Sequence, residues 1–257
     1  MLPVDARSFV LSRFDVELQV LSGGDLLVTE TVSPRFEGAW NGIERLIPVE
    51  YRTPQGFNYT LLLDRISVAD EQGAPLKFES SRERHYRNLR IWIPGATDAT
   101  RTFVLKYLVR NGLKFFEDHD ELYWNITGNG WQFPIDQVRA HVHLPQGTQL
   151  KSIEAYTGSY GSRGSDYKAE KKNEREAIWQ TTKLLSTGEG ITLVATWQKG
   201  IVSEPSIQSQ WYLYIKDNIA YLILILGMLF ALVYAVYVII ILGCQEKGTI
   251  IPLFYPP

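Results

Sequence analysis

At 257 residues, the chain is long enough to form one or two domains with a sizeable hydrophobic core. Its 26 basic and 28 acidic side chains leave a net charge of -2. They form no basic stripe of the kind that binds phosphate backbones, so we expect no nucleic-acid partner. The single cysteine, Cys244, excludes both a disulfide and a cysteine metal site from the rest of the chain.

The N-terminal region predicts a β-hairpin. Apolar and polar residues alternate over residues 14–20, which is typical of a half-buried strand. Residues 22–25 then supply Gly and Asp for a tight turn, and residues 26–32 form the partner strand. The N-terminus lacks the basic start and apolar run of a signal peptide, so we expect any export signal to lie outside this sequence.

More short strands, separated by Gly, Pro and Asn, are predicted up to about residue 200. They cover residues 57–68, 76–79, 89–93, 102–110, 138–144, 177–182 and 191–197. Since no helical apolar period lies between them, residues 1–200 are expected to form an antiparallel β-sandwich region. This region would be one large sandwich or two smaller ones dividing near residues 112–134. Residues 158–176, rich in Gly, Ser and then charge, predict a mobile loop.

A single transmembrane helix is predicted at residues 219–242, which contain no charged side chain. At 1.5 Å per residue this helix would be about 36 Å long, more than the roughly 30 Å of a bilayer's hydrocarbon core. Residues 201–218 would be a juxtamembrane linker whose aromatic rings suit the headgroup layer. Residues 243–257 would begin a cytoplasmic segment. Too few lysines flank the helix for charge to decide its orientation.

Small residues recur every four positions in the predicted membrane helix, at Gly227, Ala231 and Ala235. They would line one helix face, and small residues at this spacing let a second helix approach closely. The stripe therefore predicts a helix-packing face, although chance explains such a stripe about as well.

An acidic cluster around His119 is the best candidate for a metal site. Its carboxylates could offer oxygen ligands to a hard cation such as calcium. However, five adjacent residues in a strand would point alternately to opposite sides, so a solvated acidic turn is the alternative. The carboxylates are those of Glu117, Asp118, Asp120 and Glu121.

Tryptophan and asparagine residues near position 130 predict a binding surface. Trp124 and Trp131 are bracketed by Asn125 and Asn129, and rings beside amides are typical of glycan-binding surfaces. Core packing of these rings is the alternative.

His141 and His143 lie two apart on a predicted strand, hence on one face, as a zinc pair could. No third ligand is apparent in the sequence. The chain also has no serine nucleophile elbow, no zinc-protease motif and no phosphate-binding loop, so we expect neither an enzyme nor a cofactor.

Three stretches together resemble a known family: residues 25–48, 119–135 and 248–257. Two motifs carry the most specific part of this resemblance: Asp-Glu-Leu-Tyr-Trp-Asn at residues 120–125 and Gly-Asn-Gly-Trp at residues 128–131. The chain resembles the YciQ-like family of predicted bacterial membrane proteins, whose N-terminal domain is a domain of unknown function. The resemblance implies an exported β domain, a membrane helix and a cytoplasmic stretch that contains Pro256 and Pro257. It also implies that this chain is a fragment of a longer protein.

These observations favour a membrane-anchored envelope protein whose extracytoplasmic β domain binds a protein or cell-wall partner, a glycan among them. One alternative is a carbohydrate-active or metal-assisted enzyme that uses Glu117, Asp120 or Glu121 as acid and base. Another is a structural or sensory cap on membrane helices that the sequence lacks. The lipid bilayer is the partner that the sequence predicts most directly.

Overall fold

The computed structural model describes residues 7–52 and 56–243. Strands make up most of this part of the chain and precede two helices. The first eight strands are β1 (Ser8–Val20), β2 (Leu26–Glu37), β3 (Gly42–Pro48), β4 (Glu50–Arg52), β5 (Asn58–Thr60), β6 (Leu62–Asp70), β7 (Phe78–Glu83) and β8 (Tyr86–Trp92). The remaining strands are β9 (Phe103–Arg110), β10 (Lys114–Phe115), β11 (His119–Asn125), β12 (Val138–His143), β13 (Leu150–Gly158), β14 (Tyr167–Asn173), β15 (Glu176–Thr181) and β16 (Gly190–Gln198). The helices are α1 (Ile207–Asp217) and α2 (Ile219–Gly243).

The largest sheet has seven strands in the order β14-β15-β12-β1-β2-β9-β6. The predicted hairpin of β1 and β2 lies near its centre, with Phe14 opposite Val32 and Val20 opposite Leu26. Gly24, at φ 89°, adopts the left-handed conformation that the tight turn between these strands requires. The pairing of β1 with β12 is parallel, whereas the neighbouring pairs are antiparallel.

Three smaller sheets complete the β region. They have the strand orders β10-β11-β16-β13, β3-β8-β7 and β4-β5. Their apolar faces and the inner face of the large sheet share one continuous hydrophobic core, which extends from Phe9 to Val202. Side chains within the predicted dividing segment, such as Leu122 and Trp124, belong to that same core. The described residues therefore show no packing boundary near residues 112–134.

Part of the predicted mobile loop at residues 158–176 is a strand. Residues 167–173 form β14, which pairs with β15 at the edge of the large sheet. The side chains of β14 are almost all exposed, which explains why a charged sequence can occupy this position. Charged side chains are a common feature of edge strands because they discourage pairing with other chains. The prediction of a mobile loop was wrong for this segment.

The segment expected to be a juxtamembrane linker contains α1. Its N-cap is Ser206, whose side chain accepts a hydrogen bond from the Ser209 amide. Helix α2 follows, and its residues Ile219–Ile241 have a mean hydropathy of 2.8 with no residue buried. Such a helix is long and apolar enough to cross a membrane. The predicted cytoplasmic residues after α2, including Cys244, lie outside the described part of the chain.

The junction of the two helices is hydrogen-bonded to the β region. The Asn218 carboxamide accepts from the Asn58 amide at 2.9 Å and donates to the Asn58 carbonyl at 3.2 Å. The Asp217 carboxylate accepts from the Thr60 amide at 2.9 Å. These contacts fix β5 to the junction between α1 and α2.

Candidate functional site

A cleft of about 520 Å³ opens between the three-stranded sheet and the segment that follows β11. Residues from β3 and β8 form one wall, and residues 130–133 form the other. The side chains on this surface divide into an aromatic floor and a polar rim. The floor consists of Phe9, Trp40, Trp92, Trp131 and Phe133, and the rim consists of Arg7, Asn41, Glu44, Arg90 and Gln132.

Three rings of the aromatic floor, those of Phe9, Trp40 and Phe133, pack against one another. Trp40 contacts Phe9 edge to face at 5.2 Å between ring centroids, and it contacts Phe133 in the same way at 5.8 Å. The Trp40 indole N–H donates to the Glu37 carbonyl at 3.0 Å, so the orientation of the ring is fixed. A preformed apolar surface of this kind can bind an apolar group without first reorganising.

The rim carries charges of both signs. Arg90 and Glu44 are exposed and lie opposite each other on β8 and β3, with 2.9 Å between the guanidinium and the carboxylate. Lys77 lies over the Trp92 ring at 4.5 Å, which is within range of a cation–π interaction. The cleft therefore offers apolar, cationic and anionic contacts within one surface.

Glycines allow two close approaches at the cleft, one between β3 and β8 within the first wall and one between the two walls. Gly42 begins β3 at φ 154°, and a Cβ there would be 1.9 Å from the Ile91 carbonyl oxygen. A Cβ on Gly130 would be 3.2 Å from the Leu46 side chain. Any larger residue at Gly42 would force β3 away from β8 and change the shape of the cleft.

A buried ion pair lies behind the cleft. Glu30 and Arg45 are 0% and 1% exposed, and both Glu30 oxygens accept from the Arg45 guanidinium at 2.8 Å. The Tyr107 hydroxyl also donates to Glu30 at 2.7 Å, and burial raises the pKa of Tyr107 well above its ordinary value. Arg45 lies 5.6 Å from the centroid of the Trp131 ring. The pair thus connects the large sheet to the cleft floor.

The predicted aromatic binding surface is largely inside the protein. Trp124 is 3% exposed and Trp131 is 6% exposed, and the Trp131 indole donates to the Thr127 carbonyl at 2.9 Å. Asn125 accepts from the Gly128 amide, and Asn129 donates to the Gly158 and Gly188 carbonyls. The prediction of an aromatic binding surface was wrong for Trp124, which alternation along β11 directs into the core, and the alternative of core packing describes both rings. Trp131 still contributes to the cleft floor.

The acidic cluster does not form one site. Alternation along β11 places the Asp120 side chain at 0% exposure, whereas the Asp118 side chain before the strand is 82% exposed. Glu117 is exposed as well, and Glu121 faces Lys114 at 3.6 Å. The four carboxylates therefore do not converge on one cation, contrary to the predicted metal site.

Two of these carboxylates have shifted pKa values. A hydrogen bond from His119 lowers the pKa of Asp118. Burial raises the pKa of Asp120, although the Lys199 ammonium at 3.9 Å acts in the opposite direction. The ionised form of Asp120 therefore lowers the stability of the folded state.

The structure places a carboxylate beside the predicted histidine pair. His141 and His143 lie side by side on the outer face of the large sheet, and Glu176 of the adjacent β15 lies next to both. Sequence spacing gave no indication of Glu176, because only the strand pairing brings it there. Likewise, no spacing indicated that Trp40 and Trp92 meet in one cleft.

The small residues of the membrane helix are exposed along α2. Gly227 has open space around its Cα, and Ala231 and Ala235 are exposed like the rest of the helix. The stripe is thus available to another helix, and helix packing there stays a prediction.

Comparison with solved structures gives only weak similarities. The M1 zinc metallopeptidase from Deinococcus radiodurans is 12% identical at a TM-score of 0.41, with 72% of this chain and 42% of that chain covered. Native leukotriene A4 hydrolase from Saccharomyces cerevisiae is 10% identical at a TM-score of 0.41, with 74% and 29% covered. The chain therefore spans less than half of either protein, and similarity at this level supports no statement about its fold or activity. No curated protein matches the chain.

A family model gives the clear relationship. The model described as "Predicted membrane protein (DUF2207) N-terminal domain" matches residues 10–197, which include every strand from β2 to β15 and most of β1 and β16. The match ends before the apolar helix α2, which is long enough to cross a bilayer. The chain belongs to this family of predicted membrane proteins, and its matched part is the family's N-terminal domain.

Proposed function

We propose that the protein is a membrane-anchored binding protein of the bacterial envelope, with its β domain outside the cytoplasmic membrane. In this proposal the β domain holds a segment of another protein in the aromatic cleft, and α2 keeps the complex at the membrane. The observation that carries the proposal is the cleft itself, which combines a packed aromatic floor with a charged rim. Apolar surfaces with a few polar groups around them are typical of ligand sites.

The rim favours a protein segment over a neutral glycan. Arg7, Glu44 and Arg90 are charged and exposed, and they place both signs of charge beside the apolar floor. A peptide with both apolar and charged side chains matches such a surface, whereas a neutral sugar makes most of its polar contacts with amides and hydroxyls. A cell-wall glycan is the second occupant that the experiment distinguishes.

The proposal treats the domain as non-enzymatic. Of the three residues nominated as acid and base, Glu117 precedes β11, and Asp120 and Glu121 are adjacent on it and point to opposite sides. General acid–base catalysis requires both groups within reach of one substrate, which this arrangement does not provide.

Site-specific photocrosslinking tests the proposal. A photoreactive amino acid at Gln132, on the rim, is compared with the same amino acid at Lys168, an exposed position on β14. We expect a protease-sensitive adduct of defined mass from position 132 and none from position 168. An adduct that muramidase shortens would assign the cleft to the cell wall instead. Equal adducts at both positions, or none at either, would contradict the proposal.

Charge reversal on the rim provides the matched control. Arg90→Glu disrupts an exposed ion pair at the cleft, and Arg110→Glu disrupts a similarly exposed pair with Asp64 elsewhere. Exposed pairs contribute little to stability, so both variants should fold. We expect Arg90→Glu to reduce the adduct from position 132 at least fivefold and Arg110→Glu to leave it unchanged. Adducts that join only copies of the same chain would indicate a cap on its own membrane segments.

A further inference from the structure

Three side chains with metal-binding atoms converge on the outer face of the large sheet. His141 and His143 project from β12, and Glu176 projects from β15 directly opposite His143. One ligand atom from each residue lies within 4.8 Å of the other two. The two strands are hydrogen-bonded to each other, so the backbone holds all three residues in a fixed register. Sites built on paired strands are more accurately positioned than sites on loops.

The distances match those of a site that closes around an ion. The His141 Nε2 atom is 3.8 Å from the Glu176 Oε2 atom, and the His143 Nδ1 atom is 3.6 Å from the Glu176 Oε1 atom. Both distances exceed hydrogen-bond length. Ligand atoms about 2.0–2.1 Å from a tetrahedral zinc ion are roughly 3.3–3.4 Å apart, so small side-chain rotations complete the site.

The environment of the His141 Nε2 atom independently indicates that this site binds a ligand. This atom is buried, and it has no hydrogen-bond partner among the residues that the structure describes. The rings of His141 and His143 lie 3.7 Å apart between centroids, which confines the nitrogen atom further. A buried polar atom without a partner is costly, and coordination of a metal ion would remove that cost.

We propose that His141, His143 and Glu176 bind a divalent transition-metal ion of the zinc class. Two imidazoles and one carboxylate are ligands that zinc prefers, whereas calcium and magnesium prefer oxygen ligands alone. Glu17 of β1 lies opposite His141 in the parallel strand pair and is exposed, so it adds negative charge beside the site, and a water molecule completes the coordination. Arg139 precedes His141 by two positions on β12, so its positive charge lies on the same face of the sheet as the three ligands.

Metal titration of the full chain in detergent, free of any histidine tag, tests this site. Zinc is titrated against a chromogenic chelator, and cobalt is added in a parallel sample as a spectroscopic probe. We expect one equivalent of zinc to bind and cobalt to give the strong visible absorption of a four-coordinate site. At a zinc concentration about 100 times its Kd, the thermal unfolding midpoint should rise by about 5–10 °C. Calcium and magnesium should not compete.

Histidine variants locate the bound ion. His143→Ala and Glu176→Gln should each weaken zinc binding at least tenfold and abolish the cobalt absorption. His85→Ala is the matched control, because His85 is exposed and pairs with Glu50 on another sheet. Circular dichroism verifies that each variant folds. Zinc binding that is absent from the wild type, or that survives unchanged in His143→Ala, would overturn the proposal.

Discussion

Removal of the Arg45 guanidinium should destabilise the β domain strongly. Arg45 donates both to Glu30 and to three backbone carbonyls, those of Leu46 at 3.0 Å, Thr127 at 2.6 Å and Ile126 at 3.1 Å. Arg45→Met keeps the apolar volume but removes all of these hydrogen bonds. The Glu30 carboxylate would then be fully buried with no charged partner.

The expected loss of stability in Arg45→Met follows from the burial of the Glu30–Arg45 ion pair. Removing one partner of a buried ion pair costs about 3–5 kcal/mol, because the other charge stays in an apolar environment. For a domain of about 200 residues, each kcal/mol lowers the unfolding midpoint by about 2–4 °C, so the expected decrease is about 6–20 °C. In Arg45→Met, only the Tyr107 hydroxyl among the side chains that contact Glu30 would still donate to it.

Thermal unfolding followed by near-ultraviolet circular dichroism measures this effect in detergent at pH 7. Arg90→Met is the control, since its pair with Glu44 is exposed and contributes at most about 1 kcal/mol. The double variant Glu30→Leu and Arg45→Met should melt above Arg45→Met alone, because it leaves no unpaired charge at this position in the core. If Arg45→Met melted as Arg90→Met does, the reasoning about the buried pair would be refuted.

Three further predictions concern other parts of the molecule. Asp120→Asn should raise the unfolding midpoint at pH 7 but leave it nearly unchanged at pH 3. The pKa of Asp120 is raised in the folded state, so the wild-type protein loses stability as pH rises from the ordinary value of 3.8 through the folded-state pKa. Equal shifts of the midpoint at both pH values would argue against this. Asp217→Ala should accelerate hydrogen exchange of the Thr60 amide, measured by mass spectrometry, since that amide would lose its acceptor; unaltered exchange would show that the junction does not depend on it. Gly227→Leu should reduce self-association of the chain in detergent, measured by analytical ultracentrifugation, if the small-residue face packs against a second helix, and an unchanged oligomer size would exclude that role.

Much of the fold could be predicted because many of its strands have one buried face. The predicted strands at residues 102–110, 138–144 and 191–197 correspond closely to β9, β12 and β16. Each of these strands has a regular or nearly continuous apolar pattern that follows its burial. The length and hydropathy of the membrane helix were equally direct signals, and α2 confirms them.

The missed strands have weaker local signals. Strand β14 is charged and exposed, so its sequence resembles that of a loop although its backbone pairs with β15. Strand β3 contains Glu44 and Arg45, of which one is exposed and the other is buried in an ion pair. A charged residue in the core interrupts the apolar alternation on which the prediction relied.

The residues of the candidate sites are brought together by strand pairing, which no local sequence pattern indicates. Glu176 is far from His141 along the chain, and only the register of β12 with β15 brings them together. The acidic cluster shows the opposite error, since Glu117 and Asp118 precede β11, and Asp120 and Glu121 are adjacent in sequence but point to opposite sides of it. Proximity in sequence was therefore a poor guide to proximity in space.

The central claim, a β domain outside the membrane and anchored by α2, is tested most directly by the accessibility of two cysteines. Ser162→Cys places a thiol in the exposed turn between β13 and β14, and the native Cys244 follows α2. The chain is expressed in bacteria with an added export signal, and intact cells are treated with a membrane-impermeant maleimide. We predict labelling at position 162 and none at Cys244 until the cells are lysed. Labelling at Cys244 but not at position 162 would place the β domain in the cytoplasm and contradict the account.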